Sequence, residues 1–105
     1  MVKIRINPVA GTDLQEIKDF LMGKNPSAAV ETVRLIISKI EALTDFPEMG
    51  SPLAPRIKQP SRYRYVICEQ YLIFYIFEDN IVSVQRVLHA KRNIASLLLD
   101  GQEES

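Results

Sequence analysis

The spacing of hydrophobic and polar residues changes period along the chain, and each change marks an element. Residues 2–6 alternate Val, Ile and Ile with Lys and Arg, the period-2 pattern of a half-buried strand. Asn7-Pro8 then opens a helix, with Asn as the cap and Pro suited to the first turn. Thr12 and Gln15 offer an alternative capping box one turn later. Ala10, Leu14, Ile17 and Leu21 recur at helical spacing, Asp13, Glu16 and Lys18 lie elsewhere on the circumference, and Gly23 ends the helix. The same device returns at Asn25-Pro26. Ala29, Val33, Ile36, Ile40 and Leu43 form a second stripe, with Glu31, Arg34, Lys39 and Glu41 off it. Two amphipathic helices joined by a short turn predict an antiparallel helical hairpin with an apolar surface to cover.

The helical period breaks at residues 45–60, where Pro47, Pro52, Pro55, Pro60 and Gly50 predict a loop too short to be a domain linker. Residues 62–67, 71–77 and 81–88 then read as three strands joined at hairpin length through Cys68-Glu69-Gln70 and Glu78-Asp79-Asn80. The middle strand is apolar on both faces, so it is expected to be central and covered on both sides. Residues 93–99 allow one more short helix, and residues 100–105 read as a frayed acidic end. The order is β-α-α-β-β-β, an α+β fold in a single domain of residues 1–99 with a tail of residues 100–105.

Composition narrows what such a domain does. At 105 residues, with 47% hydrophobic and 25% charged residues, the chain can bury a core without metal or disulfide staples. Nothing near the N-terminus resembles a signal peptide, and the longest apolar run, residues 71–77, is too short to span a bilayer as a helix. A cytoplasmic protein with no membrane partner is expected. One cysteine, Cys68, excludes an internal disulfide and a multi-cysteine zinc site, and no cofactor is expected. Thirteen basic and thirteen acidic residues give a formal net charge of zero, against a general grip on nucleic acid. A local patch remains, because residues 51–68 hold Arg56, Lys58, Arg62 and Arg64 and no acid.

The chain has no glycine-rich phosphate loop, no paired His-x-x-His or Cys-x-x-Cys, and no glycine-flanked serine nucleophile. Arginines and one histidine remain. Residues two apart on a strand share a face, so Arg62 and Arg64 would project together, either as a clamp for phosphate or carboxylate or as a solvated edge. Arg86, among Val84, Val87 and Leu88, is either a paired structural charge or a cleft residue. His89 is either an acid–base group or a hydrogen-bonded structural residue. RNA cleavage by 2′-hydroxyl attack needs a base, a cation for the phosphorane charge and usually an acid. His89 with Arg64 or Arg86 would supply two of those roles.

The string Ala10-x-x-Asp13-Leu14-x-x-Ile17, then Phe46-Pro47-x-Met49-Gly50, Tyr63-Arg64, Tyr71-x-x-x-Tyr75 and Val87-Leu88-His89-Ala90-x-Arg92 resembles the RelE/ParE toxin superfamily of bacterial toxin–antitoxin modules. The resemblance implies a helical hairpin on one face of a small, mostly antiparallel sheet, with Tyr71 in its central strand and Arg64 on the neighbouring one. It also implies a co-encoded antitoxin partner, held with the toxin in a hetero-oligomer. RelE-like members are ribosome-dependent endoribonucleases that cut mRNA, and ParE-like members poison DNA gyrase. The ribonuclease positions that map here are Arg64, Arg86 and His89. Two departures point away from that branch. Its members tend to be strongly basic, and they commonly carry a catalytic Tyr or His near the C-terminus, whereas no Tyr, His, Lys or Arg follows Arg92. The ending around His89 is closer to ParE-like and plasmid-stabilisation members. The expectation is therefore a ParE-like toxin that binds gyrase through Arg62, Arg64, Arg86, His89, Lys91 and Arg92, and substitution of Arg64 or Arg86 by Ala should reduce toxicity more than stability. A RelE-like mRNA endoribonuclease and a degenerate, binding-only module are the alternatives.

Overall fold

The computed structural model describes residues 1–92; the helix expected at residues 93–99 and the tail at residues 100–105 lie outside them. Strand β1 (Lys3–Ile6) leads into helices α1 (Pro8–Met22) and α2 (Pro26–Ala42). Asn7 and Asn25 cap them as the Asn-Pro pairs predict, accepting from the Val9 N–H at 2.9 Å and the Ala28 N–H at 3.2 Å. Thr12 starts no helix; its hydroxyl donates back to the Pro8 carbonyl from inside α1. After α2 come β2 (Ser51–Pro52), α3 (Ala54–Ile57), β3 (Arg64–Cys68), β4 (Tyr71–Glu78) and β5 (Ile81–His89).

The five strands form one sheet in the order β1-β5-β4-β3-β2, with β1 parallel to β5 and every other pair antiparallel. This is the α+β, mostly antiparallel arrangement that the patterning and the resemblance imply. The helical hairpin covers one face. Ala10, Ile36, Ile40 and Leu43 pack there with Val66, Cys68, Tyr71, Ile73, Tyr75, Val82, Val84 and Val87. On the other face a second cluster joins Leu53 to Leu72, Phe74 and Leu88, with Ile57, Tyr63 and Tyr65 against it. Alternation along β4 sends side chains into both clusters, so every residue from Tyr71 to Ile76 is buried. The doubly apolar strand is central and covered twice, as its sequence predicts.

Three boundaries differ from the sequence reading. The proline-rich stretch contains β2 and α3, both too short to show a period: Pro55 sits in the first turn of α3, and Lys58 ends it at φ 56°. Strand β3 starts at Arg64, so Arg62 precedes the sheet. Both hairpins close on two residues, since Cys68 pairs with Tyr71 and Glu78 with Ile81. Asp79 and Asn80 both take positive φ, 53° and 64°, which matches the type I′ turn that right-twisted strands favour.

The Phe46-Pro47-x-Met49-Gly50 stretch is a turn locked to the sheet. The Tyr75 hydroxyl, deep under the helices, donates to the Pro47 carbonyl at 2.8 Å and accepts the Gly50 N–H at 3.0 Å. Burial pushes the Tyr75 phenol's pKa up, so it stays a donor through the neutral range. Gly50 is the residue that allows this approach. A Cβ there would lie 2.5 Å from the Tyr75 hydroxyl oxygen and 2.9 Å from the Tyr65 carbonyl, too close for any side chain. Gly50→Ala is therefore expected to lower the unfolding free energy by about 2 kcal/mol or more. Tyr75→Phe, which strips both partners of their bond, should cost about 1–3 kcal/mol. Urea unfolding of each variant measures both, and a Gly50→Ala protein as stable as the parent would show that the turn moves freely off Tyr75.

Candidate functional site

Strand β5 is longer than its neighbour. β1 pairs only with Ile81 to Val84, and after the Asn7 N–H bonds the Val84 carbonyl at 2.9 Å the chain leaves the sheet to begin α1. At the same point β5 carries one extra residue: Tyr75 faces Val84 while Phe74 faces Arg86, leaving Gln85 unpaired in a bulge. Because the phase shifts there, Val84 and Val87 both reach the core under the helices. The unpaired edge beyond the bulge is completed by a side chain. One oxygen of Asp13, on α1, accepts the Val87 N–H at 3.0 Å and Arg86 Nε at 2.8 Å; the other accepts Arg86 Nη2 at 3.0 Å. Asp13 is 6% exposed, and a carboxylate so buried needs its oxygens filled. The Asp13 hydrogen bond is the largest cause of a raised Arg86 pKa, opposed by burial.

Arg64 has a comparable role on the far side of β4. Its Nη1 donates to the Gly50 carbonyl at 2.8 Å and the Glu48 carbonyl at 3.3 Å, holding the turn that Tyr75 anchors. Arg62 bonds Glu78 at 2.8 Å in an exposed pair. Of the two readings of Arg62 and Arg64, the clamp does not form. Arg62 lies before the strand, where the two-residue alternation has no hold, and the two guanidinium groups serve different partners. His89 is tied at both ring nitrogens: Nδ1 accepts the Lys91 N–H at 3.1 Å and Nε2 lies 3.3 Å from Gln70 Oε1, an arrangement that puts the proton of a neutral ring on Nε2. Its ring meets Tyr71 edge-on, with centroids 5.4 Å apart.

A groove of about 340 Å³ runs between α1 and the open half of β5. Ile17, Phe20, Tyr71, Val87 and Leu88 give it an apolar lining; Asp13, Glu16, His89 and Arg92 add charge and hydrogen-bonding capacity at its margins. Neither Arg64 nor Arg86 lines it, so the structure does not gather Arg64, Arg86 and His89 in one cleft. Lys91 and Arg92 are exposed at the end of the described chain. Sequence reasoning missed Asp13 and Phe20 as parts of this region. The signal was present: residues 13, 17 and 20 lie at i, i+4 and i+7, a helical row that shares Ile17 with the core stripe. Among the described residues no three His, Cys, Asp or Glu side chains gather as a metal would require, and no helix is long and apolar enough to cross a membrane.

Removing one member of the Asp13–Arg86 pair strands the other. Asp13→Ala and Arg86→Ala should each destabilise the fold by about 3–5 kcal/mol, the cost of breaking a buried pair. In denaturant unfolding the double variant should lose much less than the sum of the two, whereas Arg92→Ala should stay within about 0.5 kcal/mol of the parent. Additive losses would mean that the two side chains act separately.

The comparisons with known proteins agree with this arrangement. The family model described as ParE toxin of type II toxin–antitoxin system, parDE, matches residues 4–94. Toxin RelE3 of Caulobacter vibrioides is 28% identical over 92 residues, covering 86% of this chain and 96% of that protein. A solved chain of the chromosomal ParDE TA system from P. aeruginosa superposes with a TM-score of 0.72 at 16% identity, covering 85% of this chain and 96% of that one. That likeness concerns the fold: a helical hairpin laid over a mixed sheet. With 91 consecutive residues matched by its model, the chain belongs to the ParE toxin family of type II toxin–antitoxin systems, within the RelE/ParE superfamily.

Proposed function

We propose that this toxin arrests growth by docking on a protein target, DNA gyrase, and not by cutting RNA. One observation carries the reading. The side chains that a ribonuclease of this superfamily would need at the phosphate, Arg64, Arg86 and His89, are each engaged by their own chain. Cleavage by 2′-hydroxyl attack requires a base, a cation at the phosphorane and an acid, all within reach of one phosphate. Here the two guanidinium groups fill acceptors on opposite sides of β4, and neither lines the groove that holds His89. Zero net charge supports the same reading, since a grip on ribosomal RNA draws its affinity from many phosphate contacts.

In this reading Arg64 and Arg86 shape the docking edge from within, while Arg62, His89, Lys91 and Arg92 meet the target. Arg64→Ala and Arg86→Ala then act on toxicity through the fold, the reverse of the separation that the sequence leads one to expect. The family also implies a cognate antitoxin, and the groove beside β5 is where we place it. Phe20 is 60% exposed at the rim of an apolar trough, the kind of anchor that an amphipathic antitoxin segment covers.

Two measurements test these statements. Purified protein is expected to inhibit supercoiling by gyrase and to leave mRNA intact on programmed ribosomes. The opposite pair of results would establish the RelE-like reading, which the match to toxin RelE3 favours. Activity in neither assay would favour a binding-only module. Separately, Phe20→Glu should weaken antitoxin binding by about 10-fold or more at unchanged Tm, read by isothermal titration, because it places a charge at an apolar contact. Unchanged affinity would move the antitoxin off this groove.

A further inference from the structure

The sheet face away from the helices is only half covered. The segment carrying α3 shields Leu72, Phe74 and Leu88, and the part nearest β1 is left open as a hollow of about 240 Å³. Register fixes its floor. Arg5 pairs with Ser83 and Ser83 with Ile76, while their neighbours Ile4, Val82 and Phe77 point to the helices, so Arg5, Ser83 and Ile76 share the open face. The bulge residue Gln85 joins them. Its Oε1 accepts from Asn7 Nδ2 at 3.3 Å, and its own amide N–H groups have no protein acceptor among the described residues. Arg62 and Glu78 form the wall beyond β4. Arg5 has no carboxylate partner among the described residues.

We propose that this hollow is a binding site for a phosphate group. Arg5 approaches it from β1 and Arg62 from the segment that leads into β3, and Gln85 Nε2 and the Ser83 hydroxyl supply neutral donors between them. A planar carboxylate is matched by one guanidinium fork, and Glu78 takes only a single bond from Arg62 Nη1 at 2.8 Å. A phosphate presents oxygens in several directions and can take donors from opposing walls at once. Glu78 is then the resident competitor: the ligand takes Arg62 from it. The lining holds one carboxylate against two guanidinium groups, and the positive end of the fifteen-residue α1 begins beside it at Asn7 and Pro8. Arg62 is shared with the target-facing residues proposed above, whereas Arg5, Ser83 and Gln85 belong to the hollow alone. It sits on the opposite face of the sheet from the antitoxin groove, and no residue lines both.

The test is an NMR titration of the labelled full chain with sodium phosphate, against sodium chloride at matched ionic strength. Saturable shifts are expected at the amides of Arg5, Ser83 and Gln85. Arg5→Gln should weaken the apparent affinity about 10-fold, and Glu78→Gln should tighten it several-fold by releasing Arg62; both positions are exposed, so the fold should persist. Arg34→Gln, on α2, should change nothing. Parallel titrations with 5′-AMP and with a phosphoserine peptide identify the source: whichever binds more tightly than inorganic phosphate carries the physiological group. Shifts that stay linear with phosphate, or an affinity unaltered in Arg5→Gln and in Glu78→Gln, would overturn the proposal.

Discussion

The bonds that the Asp13 carboxylate makes to the Val87 N–H and the Arg86 guanidinium fix how the helical hairpin sits on the sheet. The sheet needs them because β5 continues five residues past the last one that β1 pairs. A strand edge at the margin of a core cannot leave its N–H groups unbonded without a free-energy cost, and water has little access beneath α1. A carboxylate from the covering helix meets that demand, and its own burial is tolerable only because Arg86 arrives in bidentate geometry. The bulge at Gln85 belongs to the same solution. It advances the phase of β5 by one residue, so that Val84 and Val87 both face the helices and Gln85 is left for the opposite side.

The basic residues divide according to what they bond. Arg64 and Arg86 fill acceptors at the margins of the core, namely two turn carbonyls and a buried carboxylate, and losing either leaves those acceptors unsatisfied. The Arg62–Glu78 and Arg34–Glu31 pairs lie in solvent, where screening and side-chain entropy leave little net stabilisation. The same residue type therefore serves architecture in one setting and remains available to a partner in the other. What separates the two settings is the nearest acceptor, and the local sequence does not show it.

That distinction also marks how far the sequence could be read. Both helices, their Asn caps, the three long strands and the twice-covered β4 were legible, because each rests on periodicity or on a cap within a few residues. β2 and α3 were not, since two and four residues carry no period. The helical period sets Asp13 off the core stripe, as is usual for an acid on a helix. Its burial depends on Arg86, 73 residues away, and no local pattern records that pairing. The choice between clamp and solvated edge at Arg62 and Arg64 was closed to the sequence for a related reason: alternation applies only inside a strand, and β3 begins at Arg64. The sequence leaves His89 open between a chemical and a structural role, and its two ring contacts, to Gln70 and the Lys91 N–H, come from neighbours that only the folded hairpin brings near.

The mismatch between β1 and β5 creates two separate recesses. Where β1 is missing, the groove opens between α1 and the end of β5, on the helical side. Where β1 is present, Arg5 overhangs the bare side of the sheet and the hollow forms, because the α3 segment reaches only as far as Leu72, Phe74 and Leu88. The two lie on opposite faces and toward opposite ends of β4, one at Tyr71 and the other at Ile76 and Glu78. A segment seated in the groove therefore leaves the hollow accessible, and the two surfaces can be occupied together. With zero net charge, long-range attraction favours neither a polyanion nor a polycation as partner. In the readings proposed above, selectivity comes from contact at short range, apolar burial around Phe20 in the groove and directed hydrogen bonds from Arg5 and Gln85 in the hollow.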